Sequence, residues 1–375
     1  MSTRPRSVLM TTDALGGIWS YTLDLAAGLA QAGTRTILAS MGPAPSDAQR
    51  ADGAAVAGLV LEVSTFRLEW LPGADDDVRR AGDWLLGLER RYAPDVVHLN
   101  GYAHATLPWQ APCIAVAHSC VPSWWRGVHG QHPPQSWDAC AHTVAAGMAA
   151  ADLVIAPTAA HLREIEAIYG WRPGARVIHN GVDASLFRSE PKRELVFSAG
   201  RVWDEAKNVR ALDAVAPDLS WPVIVAGDWR RPTGEGEPPS NLLCLNLLER
   251  AQVRDWLAAA SIYASPARYE PFGLGVLEAA LSGCALVLGD IPTLRELWSD
   301  AALFVPPDDH AALHTALTEL IERPPLRAHL GRAARARGLG YSLEQMTQEY
   351  LAAYADAGAE RSLGPTSAAW PAVAE

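Results

Sequence analysis

The sequence predicts an α/β protein made of two doubly wound, parallel-sheet domains in series. Three observations predict it. Apolar strand-like runs alternate with helical patterns nearly throughout, which is the pattern of repeated βαβ units. The alternation pauses at SEPKRE (Ser189–Glu194), a polar stretch with a proline, and then starts afresh. The chain has 375 residues, enough for two or three average domains. The expected bounds are 1–188 for the first domain, 189–340 for the second, and 341–375 for a last helix and a loosely docked tail.

In the first series, SVLMTT is a strand. A glycine turn at Gly16 and Gly17 leads into the helix around WSYTLDLAAGLAQAG, ended by Gly33. TRTILAS, DVVHLN, CIAVAHS and LVIAPT are further strands that run into loops. The segment WLPGADDDVRRAGDWLLGLERRYAPD is an amphipathic helix. Its acids interleave with Arg79, Arg80, Arg90 and Arg91, so a solvated face is expected, with docking on anionic lipid as the alternative. CVPSWWRGVHGQHPPQSW reads as a long loop. Its Trp124, Trp125 and Trp137 are available to pack beneath it, to stack on a sugar face, or to dip into a membrane interface.

The second series reads ELVFSAG, PVIVAGD, LLCL, SIYASP, CALVLGD and ALFVPP as strands. After it, SLEQMTQEYLAAYADAG is a helix with no strand behind it. Two open α/β domains imply a cleft with a ligand in it, and sites are expected at the carboxyl ends of the strands.

Composition narrows the function. The net charge of −11 argues against a general nucleic-acid binder. Five cysteines, odd in number and scattered, give no disulfide framework, so a reducing, cytoplasmic setting is expected. The first apolar run is too short for a signal peptide, and none approaches a membrane span. His118, His129, His132, Cys120 and Cys140 lack a tight ligand pair. No Asp-x-Asp pair stands at an expected strand end, and GADDDV reads as an exposed loop or helix start. No metal or cofactor is therefore expected.

The stretch YEPFGLGVLEAALSG carries Glu270 and Glu278, eight positions apart, around Gly273 and Gly275. It reads as loop, then helix, then Gly283 as the stop. The glycines would sit at the helix start, where free N–H groups and the dipole attract an anion. Glu278, one turn in, would reach a sugar hydroxyl beside that anion. The plainer alternative is a solvated helix residue and a loop charge. FSAGRVWDEAKN places Arg201 directly after a strand and Lys207 six residues later. Two such cations suit a diphosphate, Arg as a fork and Lys as a point charge. Surface charge is again the plainer alternative.

These residues, with VIHNGVD and PDVVH, resemble the retaining glycosyltransferases of family 4, of the GT-B fold. The likeness runs from about Val8 to Pro307. It implies two facing Rossmann-like domains, a nucleotide-sugar donor (a UDP-sugar or GDP-mannose, for example) held mainly by the second, and a C-terminal helix that crosses back to the first. It implies that Arg201 and Lys207 neutralise the donor diphosphate and that Glu278 holds the ribose. It further implies that Glu270 contacts the transferred sugar, helped by the amides of Phe272, Gly273, Leu274 and Gly275. Gly16 and Gly17 match the family's glycine loop, and His118 matches its active-site histidine. The implied reaction moves a hexosyl group to a hydroxyl of a glycan, a lipid-linked sugar or a small molecule. It proceeds by front-face displacement without metal, with Glu270 positioning the sugar and not acting as nucleophile.

The sequence departs from the family where Ser119 follows His118, where Trp229, Arg230 and Arg231 follow PVIVAGD, and where GDIPTLREL leaves Glu296 as a tentative counterpart. A non-catalytic nucleotide-sugar binder and a sugar-nucleotide epimerase are the alternatives. A nicotinamide-dependent oxidoreductase needs Gly-x-Gly-x-x-Gly after the first strand, and TTDALGGIWSYT does not supply it.

Overall fold

Seven parallel strands, buried or half-buried except at Arg35, build the first of two sheets. The computed structural model describes residues 4–71, 73–170, 174–231 and 234–362, so most of the expected tail, from Leu363 on, lies outside the described residues. The strands are β1 (Ser7–Asp13), β2 (Arg35–Met41), β3 (Val60–Val63), β4 (Val96–Leu99), β5 (Cys113–Val116), β6 (Leu153–Ala156) and β7 (Arg176–Val177). Their order in the sheet is β3-β2-β1-β4-β5-β6-β7. The chain winds outward from β1 in one direction, then returns to β4 and winds the other way. That reversal is the doubly wound, Rossmann-like topology, and β1/β4 is its switch point.

The helices between these strands are α1 (Gly17–Gln31), α2 (Asp47–Ala54), α3 (Asp75–Tyr92), α4 (Val121–His129), α5 (Asp138–Ala150) and α6 (Ala159–Tyr169). Helix α3 carries three aspartates in its first turn and two arginines in its last, both favourable to the helix dipole. Arg79, Arg80 and Arg91 pair with Asp76, Asp77 and Glu62.

Helix α4 corrects the sequence reading, which took 120–137 for a loop. Cys120 caps it, with Ser123 closing a capping box. Pro122 lies in the first turn, where no N–H is missed, and Gly130 ends it with φ +66°. A short 3-10 turn at Gln135–Trp137 follows.

The second sheet contains β8 (Arg193–Ala199), β9 (Val223–Ala226), β10 (Leu243–Cys244), β11 (Ala260–Ser265), β12 (Ala285–Gly289) and β13 (Ala302–Val305), in the order β10-β9-β8-β11-β12-β13. Its switch point is β8/β11. Its helices are α7 (Val209–Val215), α8 (Arg250–Ala259), α9 (Leu274–Leu281), α10 (Pro292–Trp298), α11 (His310–Glu322) and α12 (Pro324–Gly338). Successive residues of each central strand enter opposite cores. Phe197, Tyr263, Leu286 and Leu288 pack with α9 on one face, and Val196, Ile262 and Val287 pack with α7 and α11 on the other. Strands buried on both faces read as unbroken apolar runs, which is why ALVLG and LVFSA were visible as strands.

The last described helix, α13 (Leu343–Ser362), belongs to the first compact unit, which comprises the chain to Arg126, Gly130–Gly181 and the segment from Leu343. Gly127–His129 and Val182–Ser342 form the second. In the first unit, α13 lies along α1 at Gly28, where a Cβ would collide with Thr347 Oγ1. Among the described residues no helix is long and apolar enough to cross a membrane.

Candidate active site

In the second unit, the loops after β8 and β11 meet at the switch point. The ammonium of Lys207 reaches the carboxylate of Glu270, and the two side chains are 22% and 15% exposed. Backbone contacts set this meeting. Arg268 N–H donates to Ala206 O at 2.9 Å. Asn208, in the left-handed region at φ +55°, donates from Nδ2 to Pro266 O (2.9 Å) and Pro307 O (2.7 Å). Its Oδ1 accepts from Arg268 Nη1. Asparagine tolerates that conformation better than most residues. Thr293 Oγ1 donates to Glu270 O at 2.6 Å, fixing the loop from the α10 side.

Arg201 stands just past β8. Its Nη2 donates to Asp204 Oδ2 at 2.7 Å, and Asp204 is 3% exposed. Asp204 also accepts from Ala206 N–H at 3.0 Å, so the same carboxylate starts the 3-10 turn that carries Lys207. Arg201 Nε is buried without a hydrogen-bond partner. A buried donor left unsatisfied is costly, and it points to an acceptor that the protein itself does not provide.

Helix α9 begins at Gly273, whose φ of +85° is a left-handed cap. Gly275 has a different reason to be glycine. A Cβ there would stand 2.8 Å from the Tyr263 hydroxyl, which donates to Ala199 O at 3.3 Å. Tyr263 is buried, and burial, followed by the charges of Glu270 and Glu278, pushes its phenol well above the usual range. Phe272 is core, with its ring edge-on to Tyr341 at 5.9 Å, so only its backbone is available to a ligand.

The first unit carries the other three predicted residues. Gly16 (φ +77°) and Gly17 are exposed at the start of α1, directly beyond β1. His118 follows β5 and is half-buried. Its Nε2 is 2.7 Å from Asn100 Oδ1, and Tyr21 presents its edge to the ring at 4.6 Å. Burial and the neighbouring His98 and His161 lower the basicity of His118. His98 has no exposed surface, and burial pushes its pKa down to about 3. Both imidazoles are neutral near pH 7.

Two family descriptions match the sequence, in stretches that abut. "Glycosyltransferase Family 4" covers residues 15–186 and "Glycosyl transferases group 1" covers 187–337. The chain belongs to the family-4, group-1 glycosyltransferases.

Relatives of this glycosyltransferase include the glycogen synthase of Mycobacterium tuberculosis, 26% identical over 86% of each chain. The D-inositol 3-phosphate glycosyltransferase of Kineococcus radiotolerans is 29% identical over 58% of this chain and 60% of its own. Among solved structures, sucrose-phosphate synthase from Thermosynechococcus elongatus superposes with a TM-score of 0.76 at 17% identity, covering 94% of this chain and 98% of that one. Anabaena HepE in complex with UDP-glucose gives 0.71 at 18% identity, covering 92% and 98%. These likenesses give the glycosyltransferase the GT-B fold.

The group-1 half thus brings Arg201, Lys207, Glu270, Gly273, Gly275 and Glu278 to one switch point. The family-4 half holds Gly16, Gly17 and His118. Sequence reading missed Asp204, Asn208, Tyr263 and Asn100. The one available signal for Asn100 was a polar residue immediately after a central strand. Glu296 lies half-buried on α10, and its carbonyl accepts from Arg337.

Proposed function

We propose that this glycosyltransferase moves a hexosyl group from a nucleotide-diphosphate sugar to a hydroxyl acceptor, with retention of anomeric configuration. One observation carries the reading. At the β8/β11 switch point, Lys207 stands against Glu270 while Arg201 keeps a buried, unpartnered Nε–H. A diphosphate supplies the missing acceptor. Two preorganised cations stabilise the charge that develops as it leaves.

In this reading Arg201 and Lys207 hold the diphosphate, Glu278 the ribose hydroxyls, and Glu270 the hydroxyls of the transferred sugar. The N–H groups of Phe272–Gly275 assist. Gly16 and Gly17 leave the backbone bare towards the donor, and His118 contacts its sugar. Residues 189–340 are the donor side and 1–188 the acceptor side, with 341–375 returning to the latter. The charge on the leaving group is met by protein cations, so the reaction runs without metal. Glu270 already faces an ammonium, which suits a positioning carboxylate better than a nucleophile. The acceptor's proton passes to a donor phosphate oxygen on the front face. The UDP-glucose bound by HepE and the name of the glycogen synthase relative support a nucleotide-sugar donor and a sugar-like acceptor. A cytoplasmic protein, with or without contact to the inner membrane face, fits this role.

The test is a thermal-shift screen against UDP-, GDP-, ADP- and TDP-sugars, because a bound donor raises stability by mass action. One nucleotide should stand out. The anomeric configuration of the product by NMR, with and without EDTA, then checks retention and metal independence. A flat screen, an inverted product or loss of turnover in EDTA would each overturn its part of the reading.

A further inference from the structure

Just past β4, Asn100 joins two histidines. Its orientation is fixed by Thr11. Asn100 Nδ2 donates to Thr11 O at 2.7 Å, and Asn100 N–H donates to Thr11 Oγ1 at 2.9 Å. The side-chain oxygen must therefore face away from β1, and it lies 2.7 Å from His118 Nε2 and 3.1 Å from His98 Nε2. An amide oxygen only accepts, so each of these nitrogens must carry its proton.

The rest of the cluster agrees with that pattern. His98 Nδ1, then bare, is 2.8 Å from Tyr354 OH, a donor from α13. Tyr21 OH, 3.4 Å from His98 Nε2, donates its own proton to Tyr350 OH at 2.6 Å, which leaves its lone pairs to the histidine. The donors and acceptors from Asn100 through His98 to Tyr354 are mutually consistent.

We propose that Asn100 is a positioning residue that holds His118 as the Nε2–H tautomer, and that Tyr354 locks His98 in the matching form. His118 Nδ1 is thereby a fixed hydrogen-bond acceptor, suited to a sugar hydroxyl and not to a phosphate. This rests on the reading of His118 as a donor contact. The groups that face His118 are His98, Tyr21 and His161. Glu164 lies 3.6 Å from His161, and Tyr350 and Tyr354 lie behind Tyr21 and His98. Replacing Asn100 by an apolar residue frees the ring to adopt either tautomer. A ring nitrogen presenting N–H where an acceptor is required misaligns the sugar, and such misplacement lowers kcat by about 10- to 10²-fold.

The experiment is two-bond 1H–15N NMR on the full chain with 15N-labelled histidine, with signals assigned through His118→Gln and His98→Gln. In the unsubstituted protein at pH 7, His118 and His98 should both give the neutral Nε2–H pattern. Asn100→Ala should turn the His118 pattern into a mixture, with kcat reduced more than KM for the donor is raised. Tyr354→Phe should mix the His98 pattern and reduce kcat by a smaller factor. An Nδ1–H or doubly protonated His118 in the unsubstituted protein overturns the proposal. So does an unchanged His118 pattern in Asn100→Ala. If Asn100→Ala does not fold, the unsubstituted spectrum and Tyr354→Phe decide. Full activity in His118→Ala would remove the donor contact while leaving the tautomer assignment intact, so the two failures are distinguishable.

Discussion

The Lys207 ammonium and the Glu270 carboxylate, 63 residues apart in the chain, form one half-buried ion pair. Removing one partner leaves the other desolvated and uncompensated. Lys207→Ala is expected to lower kcat by about 10²–10³-fold, the usual cost of losing one preorganised electrostatic group. Glu270→Gln should also lower kcat, yet keep nucleotide-diphosphate binding, because it frees Lys207 for the ligand. Steady-state kinetics and calorimetric titration with the donor nucleotide separate the two. Loss of nucleotide binding in Glu270→Gln alone would reverse the assigned roles.

Asp204 aims Arg201. It is buried, pairs with Nη2 at 2.7 Å and starts the turn that carries Lys207. Asp204→Asn keeps the shape and removes the charge. KM for the donor should rise by about 10-fold, in line with losing a charged hydrogen bond of some 1.5 kcal/mol, and the melting temperature should fall because Arg201 loses its buried partner. An unaltered KM would detach Arg201 from the donor.

Gly275 is held to glycine by the Tyr263 hydroxyl, 2.8 Å from where a Cβ would stand. Gly275→Ala should destabilise the protein by about 1–3 kcal/mol, the cost of overpacking. Tyr263→Phe removes that oxygen, so the double variant should recover part of the loss. A double-mutant cycle on urea midpoints measures the coupling, and purely additive losses would contradict the packing account.

Gly28 plays the same part against α13, where Thr347 Oγ1 occupies the space of a Cβ. Gly28→Ala should loosen α13 and lower the melting temperature by several degrees, as a change of about 1–3 kcal/mol does in a protein of this size. Thr347→Ala in the same chain should restore most of it. Hydrogen exchange along Leu343–Ser362 would report the loosening directly.

His98 makes stability depend on acid. Its pKa is about 3 in the folded chain against an ordinary 6.5. The unfolded chain thus takes up a proton near pH 6.5 that the folded chain refuses until near pH 3. Within that window each fall in pH favours unfolding, and above 6.5 the contribution is complete. The slope for one such group is about 1.4 kcal/mol per pH unit. Urea unfolding between pH 7 and 4.5 should show it, and His98→Gln should lose about that much of the slope.

Both sheets were legible because their inner strands are apolar on both faces, as in LVIA and ALVLG. The edge strands β3 and β7 were not, being short and half-buried. Helix α4 was hidden behind histidines, glycines and prolines, although Pro122 and Gly130 sit where a helix begins and ends. Its cap is a cysteine, which no capping rule favours. Arg201, Lys207 and Glu270 stand out in the sequence because they follow a strand, and Glu278 because it lies one turn into a covered helix, but their roles came only with the family resemblance. Gly275 was visible too, but Tyr263, which constrains it, comes from another strand. Asn100 gains meaning only when Thr11, His98 and His118 converge on it, and no linear pattern records that convergence.

Apart from Gly127–His129, the polypeptide stays in its first unit up to Gly181 and re-enters it at Leu343. Tyr350 and Tyr354, both buried in that unit, are thus made after the whole of the second one. On the ribosome the second unit is complete and free to fold while the first still lacks a wall of its core. His98 waits through that interval without its Tyr354 partner. The unit that is begun first is therefore completed last, and the histidine cluster closes only when α13 emerges.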